Sequence, residues 1–128
     1  MSLEAFRNAA ESLDAEAMAA CLSPDVVFHS PVVFKTYRGR EEVLPILMAV
    51  STVFEDFTYI GEYRSEDGGV LHFQAKIGDR AVDGVDILHF GPDGLADEFT
   101  VMIRPFSGAT ALRDRMAALL EALPQAPA

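Results

Sequence analysis

Between residues 69 and 104 the chain alternates apolar and polar residues over three consecutive stretches, 69–77, 81–90 and 95–104. They are separated by "GDR" at 78–80 and "GPDG" at 91–94. Alternation of period two sends successive side chains to opposite faces of a strand. Short Gly/Asp-rich breaks between such runs make antiparallel hairpins. One face therefore carries Leu71, Phe73, Ala75 and Ile77, then Val82, Gly84, Leu88 and Phe90, then Phe99, Val101 and Ile103. The opposite face is mixed: His72, Gln74 and Lys76, then Asp83, Val85, Ile87 and His89, then Glu98, Thr100, Met102 and Arg104. Asp86 is the one ionisable group on the apolar face of this three-stranded patch.

The turns set the expected register. A two-residue loop at Asp79-Arg80 places Ile77 opposite Val82, and so Phe73 opposite Asp86. A four-residue loop at 91–94 places Phe90 opposite Leu95, and so Phe99 opposite Asp86 from the other side. The carboxyl then sits between two rings with no basic residue on its face. Desolvation disfavours the charged form, so a raised pKa is expected. A protonated carboxyl in an apolar hollow can donate a hydrogen bond to a ligand oxygen. The alternative is purely structural: a bond to a nearby backbone group, hydroxyl or water.

The rest of the chain supplies helices. Leu3, Phe6, Ala10, Leu13, Ala17, Met18 and Leu22 recur at helical spacing, which predicts a helix over 3–22. "VVFHSP" is a short strand ended by Pro31, and "VVFKTYRG" an irregular crossing. A second helix is expected over about 40–55, with Pro45 near its first turn, where proline is best tolerated. A fourth strand is expected at 58–66, and a last helix over 109–123. The layout is α+β, with helices covering one face of a curved sheet. The expected domain spans 1–124, and 125–128 is a loose tail.

Composition narrows the function. The formal charge is −10, from ten Lys+Arg against twenty Asp+Glu. That argues against nucleic acid and anionic membrane surfaces, which need a basic patch. No apolar run is long enough to span a bilayer, and the start lacks a secretory pattern. Cys21 is the only cysteine, so an intrachain disulfide is excluded, and a reducing, cytoplasmic location is expected. Cys21 itself reads as a buried structural thiol. Half the residues are hydrophobic, with a mean hydropathy of +0.17. That is high for one small domain and points to apolar surface covered by a second copy. The mixed sheet face is the expected homodimer face. Three scattered histidines make no metal site, and no cofactor is expected.

"SPDVVFHSPV" after the first helix, "YRGREEV" opening the second, and "VDILHFGPDGLADEF" together resemble the nuclear transport factor 2-like superfamily. That group includes the ketosteroid isomerases and the SnoaL-like polyketide cyclases, and the resemblance covers nearly the whole chain. It implies a cystatin-like α+β cone: a curved antiparallel sheet wrapped around three helices, with a pocket at the open end. Asp86 in "VDILHF" resembles the protonated Asp of the isomerases' oxyanion hole, a group known to be held neutral by an apolar site. Ser30 in "HSP" stands in the slot of their general base, and Phe6 in that of their first-helix Tyr. True steroid isomerisation is therefore not expected.

His29 is the remaining candidate base, although period two turns it away from the face of Phe28 and Ser30. Tyr37 can lie over the pocket mouth and offer its hydroxyl. Arg104, His72 and His89 read as surface or interface residues. The expected catalytic set is Asp86, His29 and Tyr37. The expected pocket lining is Phe6, Ser30, Leu71, Phe73, Leu88, Phe99, Val101 and Ile103. Three functions fit: a proton-transfer enzyme of isomerase, cyclase or dehydratase type acting on a small hydrophobic carbonyl or polycyclic compound; a non-catalytic carrier of a lipophilic ligand; or a dimeric interaction domain with a vestigial cavity. A titratable group across the cavity from Asp86 would favour the first.

Overall fold

The computed structural model describes residues 2–122, with side chains of the last helix as far as residue 119. The expected tail at 125–128, and Leu123 of the expected last helix, lie outside the described residues. The elements in chain order are α1 (Ser2–Ser12), α2 (Ala15–Cys21), β1 (Leu22–His29), β2 (Thr36–Arg38), α3 (Arg40–Val53), β3 (Glu55–Arg64), β4 (Gly68–Ile77), β5 (Arg80–Phe90), β6 (Ala96–Arg104) and α4 (Phe106–Ala122). The strands form one sheet in the order β2-β1-β6-β5-β4-β3. The helices pack on its concave face, which gives the α+β cone.

Three details depart from the expectation. The sheet is mixed, because β1 runs parallel to β6 while every other pair is antiparallel. The irregular crossing after Pro31 contains a short strand, β2, which pairs Tyr37 with Phe28. The first helix is broken in two, giving four helices rather than three. Leu13 takes a left-handed φ of 58°, and the Asp14 carboxylate accepts from the Glu16 N–H at 3.0 Å to cap α2. Capping satisfies one of the donors left open at a new helix start. Apolar spacing alone could not reveal this break, because the period runs through it.

The apolar face of β4, β5 and β6 is buried as expected: Leu71, Phe73, Ala75, Ile77, Val82, Leu88, Phe90 and Phe99 are all core residues. The register differs. The β4–β5 turn is Gly78-Asp79, with Gly78 at φ 64°, so Ile77 pairs with Arg80 and Asp86 pairs with Leu71. Between β5 and β6 an irregularity at His89/Phe90 pairs Phe90 with Ala96 and Asp86 with Val101. Both shifts amount to two residues at Asp86. A slip of two moves partners along the strand but keeps each side chain on its face. Phe73 thus lies opposite Gly84, and Phe99 opposite Leu88.

Gly84 has a specific reason to lack a side chain. A Cβ there would overlap the tip of the Phe73 ring, which lies across it. That ring stacks on Phe57 at 4.8 Å and meets Phe54 edge-on at 5.5 Å. The glycine makes room for an aromatic layer that joins β3, β4 and α3.

Phe73→Ala removes a ring that is 1 % exposed and should cost about 3–5 kcal/mol in urea unfolding. Gly84→Ala should cost at least about 1–3 kcal/mol by overpacking the same spot. Near-neutral values for both would mean that this layer is not the core of the sheet.

Candidate functional site

The concave sheet face and the helices α1, α3 and α4 enclose a cavity of about 300 Å³. Its wall is almost wholly apolar. Phe6 and Ala9 come from α1, Leu47 from α3 and Phe54 from the residue capping its end, Phe73 from β4, Phe99, Val101 and Ile103 from β6, and Leu112 and Met116 from α4. Asp86 and Tyr59 also line it. Both are buried, and Asp86 is 6 % exposed.

Tyr59 reaches this position because β3 is irregular. Its register shifts between Glu55 and Thr58 and again between Tyr59 and Gly61, and Asp56 has a φ of 53°. Bulges of this kind re-aim side chains beside functional sites. The Tyr59 ring stands perpendicular to Phe57 (centroids 4.9 Å) and to Phe73 (6.4 Å). Arg7 of α1 lies over it, 5.7 Å from the centroid. The Arg7 guanidinium is itself held by Glu11 at 3.5 Å and Glu62 at 3.7 Å.

The Tyr59 hydroxyl donates to Asp86 Oδ2 at 2.8 Å. It is the only hydrogen bond to that carboxyl among the described residues. Burial raises the Asp86 pKa from 3.8 to about 7, against the lowering effect of the Tyr59 bond. Burial, then the charge and hydrogen bond of Asp86, push the Tyr59 phenol well above its ordinary value. Tyr59 is therefore a fixed donor at neutral pH, while Asp86 exchanges its proton there. With Oδ2 engaged by Tyr59, the other carboxyl oxygen is the one that can carry a proton towards the cavity. The arrangement is one acidic, proton-bearing pole in an apolar chamber.

Of the expected lining, Phe6, Ser30, Phe73, Phe99, Val101 and Ile103 line the cavity. Leu71 and Leu88 do not. They lie at 0 % and 3 % exposure in the core between sheet and α1, outside the lining. Leu71 is the direct partner of Asp86, so the strand passes beneath the chamber there. Tyr37 lines the cavity from β2, packed on Phe28 at 6.2 Å with the Lys35 ammonium 4.9 Å from its ring centroid.

His29 faces the other way: its Nε2 is 3.0 Å from Glu98 Oε2 on the outer face of the sheet, and it is not part of the lining. The strand alternation that points Phe28 inward points His29 outward. His72 and Arg104 both bind Asp83, each at 3.3 Å. His89 is held between Asp97 and Asp67, and these contacts, Asp97 first, raise its pKa. Sequence reasoning missed Tyr59. The signal lies in "FTY", where Phe57 and Tyr59 stand two residues apart on one strand face.

No group of three or more His, Cys, Asp or Glu placed to hold a metal ion occurs among the described residues. No helix of the described residues is long and apolar enough to cross a membrane.

The SnoaL-like domain family matches residues 3–99. An uncharacterised protein with a cystatin-like fold from Silicibacter pomeroyi DSS-3 is 31% identical, with a TM-score of 0.91 over 94% of this chain and 86% of that chain. A structure described as a steroid Δ-isomerase from Pseudomonas aeruginosa is 37% identical, with a TM-score of 0.90 over 94% of this chain and 90% of that one. A protein with a ketosteroid isomerase-like fold from Catenulispora acidiphila DSM 44928, in complex with trimethylamine, shares the fold at 16% identity, with a TM-score of 0.65 over 85% and 88% of the two chains. Comparison with curated proteins finds no match.

The raised Asp86 pKa has a stability consequence. Below 3.8 the carboxyl is protonated whether the chain is folded or not. Between 3.8 and about 7 the unfolded chain gives up this proton and the folded chain keeps it, so stability falls as pH rises through that window. Asp86→Asn removes the dependence. It should fold, and its stability relative to the parent should climb by up to about 4 kcal/mol from acid to neutral pH. Denaturant titrations at both ends check this. A constant difference, or a variant weaker at neutral than at acid pH, would mean that the carboxyl is a structural tie.

Proposed function

The chain belongs to the SnoaL-like domain family of the nuclear transport factor 2-like superfamily, and from that premise we propose that its cavity binds a small, mostly hydrophobic molecule through a carbonyl or hydroxyl oxygen. Asp86, protonated, is the donor to that oxygen. The observation that carries this reading is the buried Tyr59–Asp86 pair at 2.8 Å, in a mostly apolar wall whose other polar members include Ser30, Tyr37, Asp14 and Arg113. A few placed polar groups in an apolar chamber orient a ligand, while the apolar wall supplies affinity. The description of the Pseudomonas aeruginosa relative as a steroid Δ-isomerase supports a cyclic or polycyclic carbonyl compound as the ligand class.

Retention of the ligand has more support than turnover. Proton abstraction beside a carbonyl needs a base across the ligand from the acid. His29 is on the outer face. Ser30, in the base slot of the isomerases, already accepts two backbone hydrogen bonds. The Asp14 carboxylate, also in the lining, is exposed and caps α2. The second reading is an isomerase- or cyclase-type reaction with Asp86 as general acid and Tyr37 or a bound water completing the relay. It gains from a pole that exchanges its proton near pH 7.

The outer face of β4–β6 exposes Met102 (56 %) and leaves Val85 and Ile87 only half-buried. We assign it to a second copy of the chain. Met102→Lys should shift sedimentation equilibrium towards the monomer. An unchanged mass would remove this face from consideration.

Calorimetric titration with a non-ionisable cyclic ketone tests the main reading. Binding should be tightest on the acid side and weaken as pH rises through about 7, because the deprotonated carboxylate has no proton to donate and repels a carbonyl oxygen. Asp86→Asn should flatten that profile. A pH-independent affinity in the parent protein would exclude Asp86 as the donor. Consumption of the ketone during the titration would promote the catalytic reading.

A further inference from the structure

Ser30 follows β1 directly, and its Oγ accepts the backbone N–H of Val32 at 3.1 Å and of Val33 at 3.4 Å. A hydroxyl oxygen has two acceptor sites and one proton. Here both acceptor sites are engaged, and the proton has no acceptor among the described residues. Accepting two hydrogen bonds also polarises the O–H and strengthens it as a donor. Ser30 lines the cavity, so its only available chemistry is donation.

The register fixes where this donor lies. The parallel pairing sets Phe28 against Phe99 and His29 against Thr100, which brings Ser30 level with Val101. Val101 pairs with Asp86 on its other side. Ser30, Val101 and Asp86 thus form one row across three adjacent chain segments, and all three line the cavity. Two inter-strand spacings separate the ends of the row by roughly 10 Å at the backbone. An apolar residue stands between the two polar ones.

We propose that Ser30 is a specificity-determining donor that selects ligands carrying a second oxygen acceptor on the ring edge facing the sheet. This rests on the binding reading above, with Asp86 taking the first oxygen. The preferred ligand class is a small ring or fused-ring compound with two carbonyl or hydroxyl oxygens along one edge. A ligand presenting an N–H or a cation towards Ser30 is disfavoured, because the serine oxygen has no acceptor site left for it.

The test uses an indanone and the corresponding indanedione, each with both methyl groups on the ring carbon next to the carbonyl so that neither can enolise there; the two differ by one carbonyl oxygen. Calorimetry on the full chain should give about fivefold to tenfold tighter binding of the dione, the usual effect of one neutral hydrogen bond. Ser30→Ala should erase that preference, bringing the indanone and the dione to equal affinity. Because alanine also removes the hydrogen bonds to Val32 and Val33, Ser30→Asp is the second variant. Its carboxylate can still accept both N–H groups but offers no proton, so the dione should become the weaker ligand. Equal dione preference in the parent and both variants, with the indanone still bound, would overturn the role of Ser30 and leave Asp86 standing. Parallel loss of both ligands in both variants would make Ser30 a structural residue and also overturn the proposal. Failure of both ketones to bind the parent would reject the proposal and the binding reading together, and failure of the dione alone would reject the proposal only.

Discussion

The Phe73 ring lying flat across Gly84 is the contact on which the chamber depends. Without a side chain at 84, the centre of β5 can receive the ring of its β4 partner. The ring then forms the middle of an aromatic stack with Phe57 and Phe54. The stack ties β3 and α3 to the sheet centre. It also gives Tyr59 a perpendicular surface to stand against. Local sequence chemistry, a glycine inside a strand, thereby governs long-range packing and the setting of the Tyr59 ring.

Against this apolar frame the Asp86 carboxyl is an expense that packing alone does not explain. A buried acid with a single neutral hydrogen bond destabilises the fold whenever it ionises. Tyr59 moderates the penalty without removing it, since burial outweighs the bond in setting the pKa. Groups kept in such conditions cluster at functional sites. The outer face shows the contrast. There Asp83 binds His72 and Arg104, and its pKa is lowered, chiefly by a hydrogen bond from Gln74. Two aspartates three residues apart on one strand thus titrate in opposite directions, because one faces the helices and the other faces out.

Faces were legible in the sequence and partners were not. Alternation from Leu71 to Ile103 sorted β4, β5 and β6 correctly, and it isolated Asp86 as the acid on the apolar side. The Asp86 partners came out two residues off, because the turn begins at Gly78 rather than Asp79 and because β5 and β6 slip at His89/Phe90. Turn type and bulges depend on backbone angles that composition only weakly encodes. The break at Leu13 escaped notice for a similar reason: a left-handed leucine leaves no mark on apolar spacing. The spacing of Phe57 and Tyr59 marks a shared face, but the two register shifts in β3 that aim Tyr59 at Asp86 leave no mark on that spacing. Leu71 and Leu88 were placed on the right face, but only the position of α1 decides which part of that face is packed and which is hollow.

The bond from Tyr59 fixes more than a proton. It pins one oxygen of a planar carboxyl and so fixes the plane of the group, leaving a single oxygen to be approached from a single side. Its strand neighbours Leu71 and Val101 flank it on either side. In the binding we propose, the ligand presents its oxygen along that line while its hydrocarbon body follows the wall. Mirror-image guests would meet such a wall differently, so the binding we propose carries with it a preference between left-handed and right-handed forms of the same compound.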